Sequence, residues 1–317
     1  MRRIIIVLFS MLLVSCQFAY DVAGYLDKNP FTDEVDITKG YSDSSYYRPG
    51  EYLRFVMISD VHIGREGHDS GVVEKTDEFL SFLEGKNYPF LICLGDLTDD
   101  GHYEDAAVGD FMNACLPHVN SNFLYVLGNH DKHVHTQDSW VSFIKKLRTD
   151  ESRILRYRFG EVSLYKLDNS SRIYGREQLE YLREALSEDD NPFRIALAHE
   201  NTTTGGVFDQ SLFLFGTADI AERNRLYSIM DKGDAGILLT GHHHRGNIAY
   251  HVTETLGEFN AAALHARETA IPGLESKGFW YECVLDMERS TLSIKAYLAD
   301  SGAPTGEEWV FSLPRRE

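Results

Sequence analysis

Asp60, His62, Asp96, Asn129, His199, His242 and His244 are the residues of this chain best suited to chemistry. They offer three carbonyl-type oxygens and four imidazoles. That set suits two divalent ions sharing one bridging carboxylate, and mixed nitrogen and oxygen donors favour manganese, iron or zinc over magnesium or calcium. Two ions about 3.5–4 Å apart clamp a phosphoryl group and lower the pKa of a water between them, giving a nucleophile at neutral pH. Spacing supports the grouping. In Asp60-Val-His62 and His242-His-His244 the outer residues of each triplet can point the same way at a strand end. His243, between two ligands, is then expected to point away.

Five apolar runs must position these groups. Phe55–Ser59 leads into Asp60, Phe90–Leu94 into Gly95-Asp96, and Asn122–Leu127 into Gly128-Asn129-His130-Asp131. Phe193–Ala198 leads into His199, and Gly236–Thr240 into Gly241-His242-His243-His244. Each reads as a buried strand with polar residues at its C-terminal end, the edge at which open α/β sheets keep their sites. Helical spacing follows three of the runs: Val72, Val73, Thr76, Phe79, Leu80 and Leu83; Ala106, Phe111 and Leu116; Trp140, Phe143, Ile144 and Leu147. Strand–helix–strand units with their loops on one edge build a largely parallel sheet. Tyr157–Phe159 and Val162–Leu167 read as a hairpin around Gly160-Glu161, and Gln178, Leu179, Leu182 and Leu186 mark a helix. A further helix is expected from Ala218 to Met230. After His244 the chain turns β-rich, at Asn247–Val252, Phe279–Asp286, Leu292–Leu298 and Trp309–Leu313.

Taken in order, Asp60-x-His62, Gly95-Asp96-Leu97, Gly128-Asn129-His130-Asp131, His199 and Gly241-His242-His243-His244 resemble the calcineurin-like metallophosphoesterase family, over residues 53 to about 250. The resemblance implies an α/β fold, a four-layer αββα sandwich of two mixed β-sheets flanked by helices. It implies that Asp60, His62, Asp96 and His244 hold one metal, and that Asp96, Asn129, His199 and His242 hold the other, with Asp96 bridging. It makes His130 the non-ligand histidine that protonates the leaving oxygen or steadies the phosphoryl charge. Asp131 would orient His130 by fixing its tautomer. One departure stands out. The family often has a proline shortly after the histidine corresponding to His199, and here Glu200-Asn201-Thr202 follows.

The activity so implied is hydrolysis of a phosphate-ester substrate by a hydroxide bridging the two ions, with a slight lean to phosphodiesters. A phosphomonoesterase or nucleotidase of the same fold is the alternative within the class. A nucleotidase with a separate substrate domain fits less well, because only about 70 residues follow His244. A non-catalytic surface binding lipoprotein is the alternative from another class. It would be expected to have lost ligands, and here every ligand position is filled.

The rest of the chain bounds these readings. Hydrophobic content of 43% in 317 residues allows a sizeable core. A net charge of -18 argues against a broad nucleic-acid surface. It leaves room for a small anion, because bound cations reverse the local field. Met1-Arg2-Arg3 followed by the apolar run Ile4–Val14 is too short to span a bilayer and reads as a signal peptide. Its end, Leu13-Val14-Ser15-Cys16, resembles a bacterial lipobox. That implies a lipidated Cys16, the membrane as partner and an extracytoplasmic location, and Gln17 is compatible with the outer membrane or cell surface. The expected division is therefore a signal peptide at 1–15, a tether at 16–52 and a catalytic domain at 53–317. Cys93, Cys115 and Cys283 read as small core residues. His102, His133, His135 and His265 are pocket-wall or surface residues. Arg65, Arg245 and Arg267 are candidates to contact phosphate, Arg245 first among them. Phe208, Leu212, Phe213, Leu214 and Phe215 either rim an apolar groove suited to a lipid substrate or pack as core.

Overall fold

The computed structural model describes residues 29–31, 34–64, 72–73, 75–99, 106–132, 154–170, 172–202, 220–244, 247–267 and 276–316. In chain order the strands are β1 (Glu34–Asp36), β2 (Tyr47–Arg48), β3 (Tyr52–Ile58), β4 (Val72–Val73), β5 (Leu91–Cys93), β6 (Phe123–Tyr125), β7 (Leu155–Phe159) and β8 (Val162–Lys166). They continue as β9 (Phe193–Glu200), β10 (Ala235–His244), β11 (Ile248–His251), β12 (Gly257–Ala262), β13 (Ala266–Arg267), β14 (Phe279–Asp286), β15 (Thr291–Leu298) and β16 (Pro304–Ser312). The helices are α1 (Thr76–Leu83), α2 (Ala106–Cys115), α3 (Arg176–Glu188) and α4 (Ile220–Lys232).

Two sheets form. The first runs β16-β15-β14-β3-β5-β6, with β2 beside β3, and the second runs β1-β7-β8-β9-β10-β12-β11. Strands β3, β5 and β6 are parallel neighbours, as are β8, β9, β10 and β12. The alternation of side chains explains the layers. On β3, Leu53, Phe55 and Met57 enter the core between the sheets, while Val56 and Ile58 face Phe79, Leu83, Phe111 and Met112 of α1 and α2. On the far side, Leu179, Leu182 and Leu186 of α3 and Leu226 and Met230 of α4 cover Tyr165, Ala196 and Leu238 of the second sheet. The result is the four-layer αββα sandwich. All five runs that lead into the metal-binding residues are strands, and all five end on one side of it.

Several elements differ from the sequence expectation. The stretch 16–52, expected as a tether or a segment partly packed on the domain, joins the domain in its later part. Strand β1 pairs in parallel with β7, Ile37 lies in the core between the sheets, and Phe31, 1% exposed, packs on Tyr165. The domain therefore begins before residue 53. Val72 and Val73 are not in the first helix but pair with Ala266 and Arg267 in a small two-stranded ribbon. Strand β12, Gly-Glu-Phe-Asn-Ala-Ala, was not expected at all. Its residues have little intrinsic strand preference, and burial between β10 and β11 overrides that. The signal peptide, Cys16 and the helix expected around Trp140 lie outside the described residues. Among the described residues no helix is long and apolar enough to cross a membrane.

Candidate metal centre

Strands β3, β5 and β6 deliver Asp60, His62, Asp96 and Asn129 from the first sheet. Strands β9 and β10 deliver His199, His242 and His244 from the second. The backbone bends sharply to do so. Asp60, His62, Asp96, His242 and His244 have φ of 50°, 50°, 49°, 72° and 62°. A non-glycine residue held there costs about 1–3 kcal/mol, and such residues gather at functional sites. The two triplets thus bring their outer residues together through paired left-handed conformations, not through extended alternation. Two glycines permit the close approach. A Cβ at Gly128 would overlap Asp96, and a Cβ at Gly95 would overlap the His199 ring.

The side chains converge. Asp60 Oδ1 lies 3.0 Å from His244 Nε2 and 3.8 Å from His62 Nε2, and the two imidazole nitrogens are 3.2 Å apart. Asp96 Oδ2 lies 3.6 Å from His62 Nε2 and 3.2 Å from His199 Nε2, which is also 3.0 Å from Asn129 Oδ1. One cluster joins Asp60, His62, Asp96 and His244, and another joins Asp96, His199 and His242, so Asp96 is common to both. Asp60 Oδ1 and Asp96 Oδ2 are buried and accept no well-formed hydrogen bond among the described residues. Orphaned carboxylate oxygens facing imidazole nitrogens fit divalent cations well.

The remaining polar atoms of the ligands hold them in aim. Asp60 Oδ2 accepts from the Ser59 hydroxyl and from the His242 N–H at 2.8 Å. Asp96 Oδ1 accepts from the His130 N–H at 2.8 Å. His199 Nδ1–H donates to the Leu94 carbonyl at 2.7 Å, and His62 Nδ1–H donates to Asp99 Oδ1 at 3.0 Å. Both rings thereby present Nε2 to the centre. Asn169 Oδ1 accepts from the N–H groups of His199 and Glu200, at 3.1 and 3.0 Å, and so fixes the end of β9. Glu200, Asn201 and Thr202, where a proline was expected, are all buried, and the Thr202 N–H donates to Glu258 at 2.8 Å.

The electrostatics of the protein atoms alone point the same way. Burial works against charge at His199, but Asp96 beside it pushes the imidazole up to about 10. Enclosure and the His199 charge push His242 down to about 3. Burial opposes ionisation of Asp60 and Asp96, yet the imidazoles of His244 and His199 hold both below the usual carboxylate range. Neighbouring groups driven in opposite directions mark a functional site.

The structure reassigns the partner of His130. Asp131 is buried and accepts the N–H groups of Asp96, Gly128 and Thr98, at 2.8, 2.8 and 3.2 Å. It knots the ends of β5 and β6 together and does not orient His130. Burial and the Asp96 charge push its carboxyl up to about 6. The carboxylate beside His130 is Asp99, whose Oδ1 lies 3.2 Å from His130 Nδ1 as well as 3.0 Å from His62 Nδ1. Sequence reasoning missed Asp99 because Asp99 and Asp100 are adjacent and spacing does not choose between them. It also left His265 undecided, and His265 is buried beside His62 and His244. His243 joins none of the clusters among the described residues. Arg65, His102, His133, His135, Phe208, Leu212, Phe213, Leu214, Phe215 and Arg245 lie outside the described residues, and only the backbone of Arg267 is described.

Comparison with known proteins bears on this arrangement. A family model described as calcineurin-like phosphoesterase matches residues 53–246. No curated protein matches the chain. Among solved structures the chain is similar to a purple acid phosphatase from yellow lupin (Lupinus luteus) seeds, with a TM-score of 0.62 and 15% identity over 84% of this chain and 55% of that one. It thus spans about half the length of that phosphatase. It is also similar to GAP50, the anchor in the inner membrane complex of Plasmodium, with a TM-score of 0.58 and 13% identity over 84% of this chain and 90% of that one. A dimetal phosphatase from Danio rerio gives a TM-score of 0.57 and 12% identity over 84% of this chain and the whole of that one. At these identities the structural likeness shows the shared mixed α/β sandwich.

Proposed function

Because the chain belongs to the calcineurin-like phosphoesterase family, metal-dependent phosphoester hydrolases, we propose that it hydrolyses phosphate esters, with a slight lean to phosphodiesters, at a two-ion centre on the outer side of a bacterial membrane. The observation that carries the two-ion reading is the pair of ligand clusters sharing Asp96. Asp60, His62, Asp96 and His244 would hold one ion, and Asp96, Asn129, His199 and His242 the other. Manganese, iron and zinc suit these donors. When bound, two such ions supply Lewis acidity at a phosphoryl oxygen and acidify a water to a nucleophile. His130 provides the proton or the positive edge for the leaving oxygen, and Asp99, with Oδ1 3.2 Å from His130 Nδ1, is the carboxylate placed to steady that ring.

Strands β11, β12, β14, β15 and β16 complete the two sheets, and diester is separated from monoester by assay. The test is hydrolysis of bis(p-nitrophenyl) phosphate beside p-nitrophenyl phosphate by the manganese-loaded protein. Faster diester turnover that disappears in His130→Ala is the expected result. Faster monoester turnover would replace the diester reading with a phosphomonoesterase. Two bound ions with no turnover of either ester would favour a binding lipoprotein.

The anchor follows from Cys16 within Leu13-Val14-Ser15-Cys16. Residues 17–28 then reach at most about 40 Å when extended, which keeps the domain close to the lipid surface. Membrane fractionation of wild type and Cys16→Ser tests this. A Cys16→Ser protein that stays in the membrane pellet would remove the lipidation claim.

A further inference from the structure

We propose that His265 is a positioning residue for the ion assigned to Asp60, His62 and His244. This rests on the two-ion reading above and adds a residue that neither the motifs nor the ligand set contains.

The segment after β12 crosses the end of β3 and grips it twice. The Leu264 N–H donates to the Ser59 carbonyl at 2.8 Å, and His265 Nδ1 lies 2.8 Å from the Asp60 carbonyl. A carbonyl only accepts, so Nδ1 carries a proton and donates it here. The bond lands on the residue whose backbone is turned into the left-handed region, Asp60, at φ 50°. A donor fixed to that carbonyl holds the turn in which Asp60 Oδ1 faces His62 and His244.

The ring does a second job. It stands edge-on to both imidazoles, with centroids 5.1 Å from His62 at 88° and 5.0 Å from His244 at 86°. His62 and His244 are themselves 4.8 Å apart at 65°. A ring nitrogen of each of the three lies within 4.8 Å of the others. The cluster that contains Asp96 does not include His265, however, and Nδ1 is already spent on the carbonyl. In this position the ring edges meet the planes of two ligating imidazoles and Nδ1 holds the backbone of a third ligand. It is 1% exposed and reaches this position from the connection between β12 and β13, which carries no metal-binding motif.

Groups that support metal ligands typically contribute about 10–100-fold to metal affinity. The test uses the metal-free full-length chain titrated with Co2+, read by calorimetry, by visible absorption and by metal content after gel filtration. Wild type is expected to bind two ions. His265→Phe keeps an aromatic ring against His62 and His244 but has no donor for Asp60. His265→Asn keeps an N–H donor and gives up the ring edges. In His265→Phe one ion should weaken by about 10–100-fold while the other is unchanged. His265→Asn should recover most of that loss. Repeating His265→Phe in a His242→Ala background, which removes the second ion, should weaken the single ion that remains. Melting of the metal-free variants reports whether the fold itself has suffered. The proposal is overturned if His265→Phe binds both ions as tightly as wild type, or if both sites weaken equally. Wild type that binds fewer than two ions would instead overturn the two-ion reading, and this proposal with it.

Discussion

The two sheets bring different chemistry to the centre. The first contributes oxygen: Asp60, Asp96 and Asn129, with Asp99 behind them, His62 as its one ligand imidazole and His130 beside it. The second contributes nitrogen: His199, His242 and His244. On the proposed assignment each ion is held from both sheets, so the ions tie the layers together at one edge. The supports differ as well. The loops of the first sheet are knotted by a buried carboxylate, Asp131, which takes three backbone N–H groups. Those of the second are held by neutral amides: Asn169 fixes the end of β9 and the Asn260 amide bonds the Gly241 carbonyl. A site split between two rigid sheets can be precise without any one loop being long.

The sharpest way to break this symmetry is at Asp96, the group common to both clusters. Asp96→Ala should lose both ions, whereas His242→Ala should lose one. Diester turnover in Asp96→Ala should fall below that of His130→Ala, which keeps its metals and loses about 10²–10⁴-fold through proton transfer alone. Metal content measured with turnover checks this. An Asp96→Ala protein that keeps two ions would remove the bridge.

The next comparison sets two neighbouring buried carboxylates against each other. Asp99→Asn should lower kcat by about 10–100-fold, because it weakens the hold on His130 and His62, with little change in melting. Asp131→Asn should do the reverse. An amide offers one acceptor oxygen where the carboxylate serves three N–H groups, and each buried donor left unpaired costs about 1–3 kcal/mol. Denaturant unfolding beside kinetics separates the two. Equal kinetic losses with unchanged stability would return Asp131 to the role that the motif first suggested.

Much of this was legible in the sequence. The five strands and the seven convergent residues follow from apolar runs that end in Asp, Asn and His, because a fully buried strand and a polar edge leave strong patterns. What was not legible depends on contacts between distant segments. Asp99 looks like any loop acid until His62 and His130 are folded against it. Strand β12 has one strand-favouring residue, Phe259, among six and exists because β10 and β11 flank it. The earliest described residues read as polar tether because β1 has three residues and its partner β7 lies about 120 positions away. Phe31 tests that last point. Phe31→Ala should destabilise by about 3–5 kcal/mol, as a buried phenylalanine does, and a loss of under about 1 kcal/mol would restore the tether.

The smallest effect, and the one that reports most directly on the ions, is the pH dependence of the metal-free protein. His199 is raised to about 10, so its contribution is fully present below about 6.5, the unfolded value, and is lost as pH rises through 10. His242 is lowered to about 3, so it stays neutral in the fold and stability falls as pH drops from about 6.5 towards 3. Asp131, raised to about 6, binds its proton more tightly when folded, and its term falls as pH rises from 3.8 to 6. Between about pH 4 and 6 the last two oppose each other, but burial also holds His265 well below its ordinary value, so the melting temperature should rise with pH there. From about pH 6.5 to 8 the His199 term dominates and melting should decline, and above that the thiols of Cys93, Cys115 and Cys283, raised by burial, add to the decline. A divalent ion on His199 Nε2 replaces that proton, so the manganese-loaded protein should lose the decline between about pH 6.5 and 8 and should release a proton on binding near neutral pH. Melting curves with and without metal, and calorimetry in two buffers of different ionisation enthalpy, test both. The same slope over that range in both forms would mean that the ion does not sit on His199, and the cluster joining the second sheet to Asp96 would need another occupant.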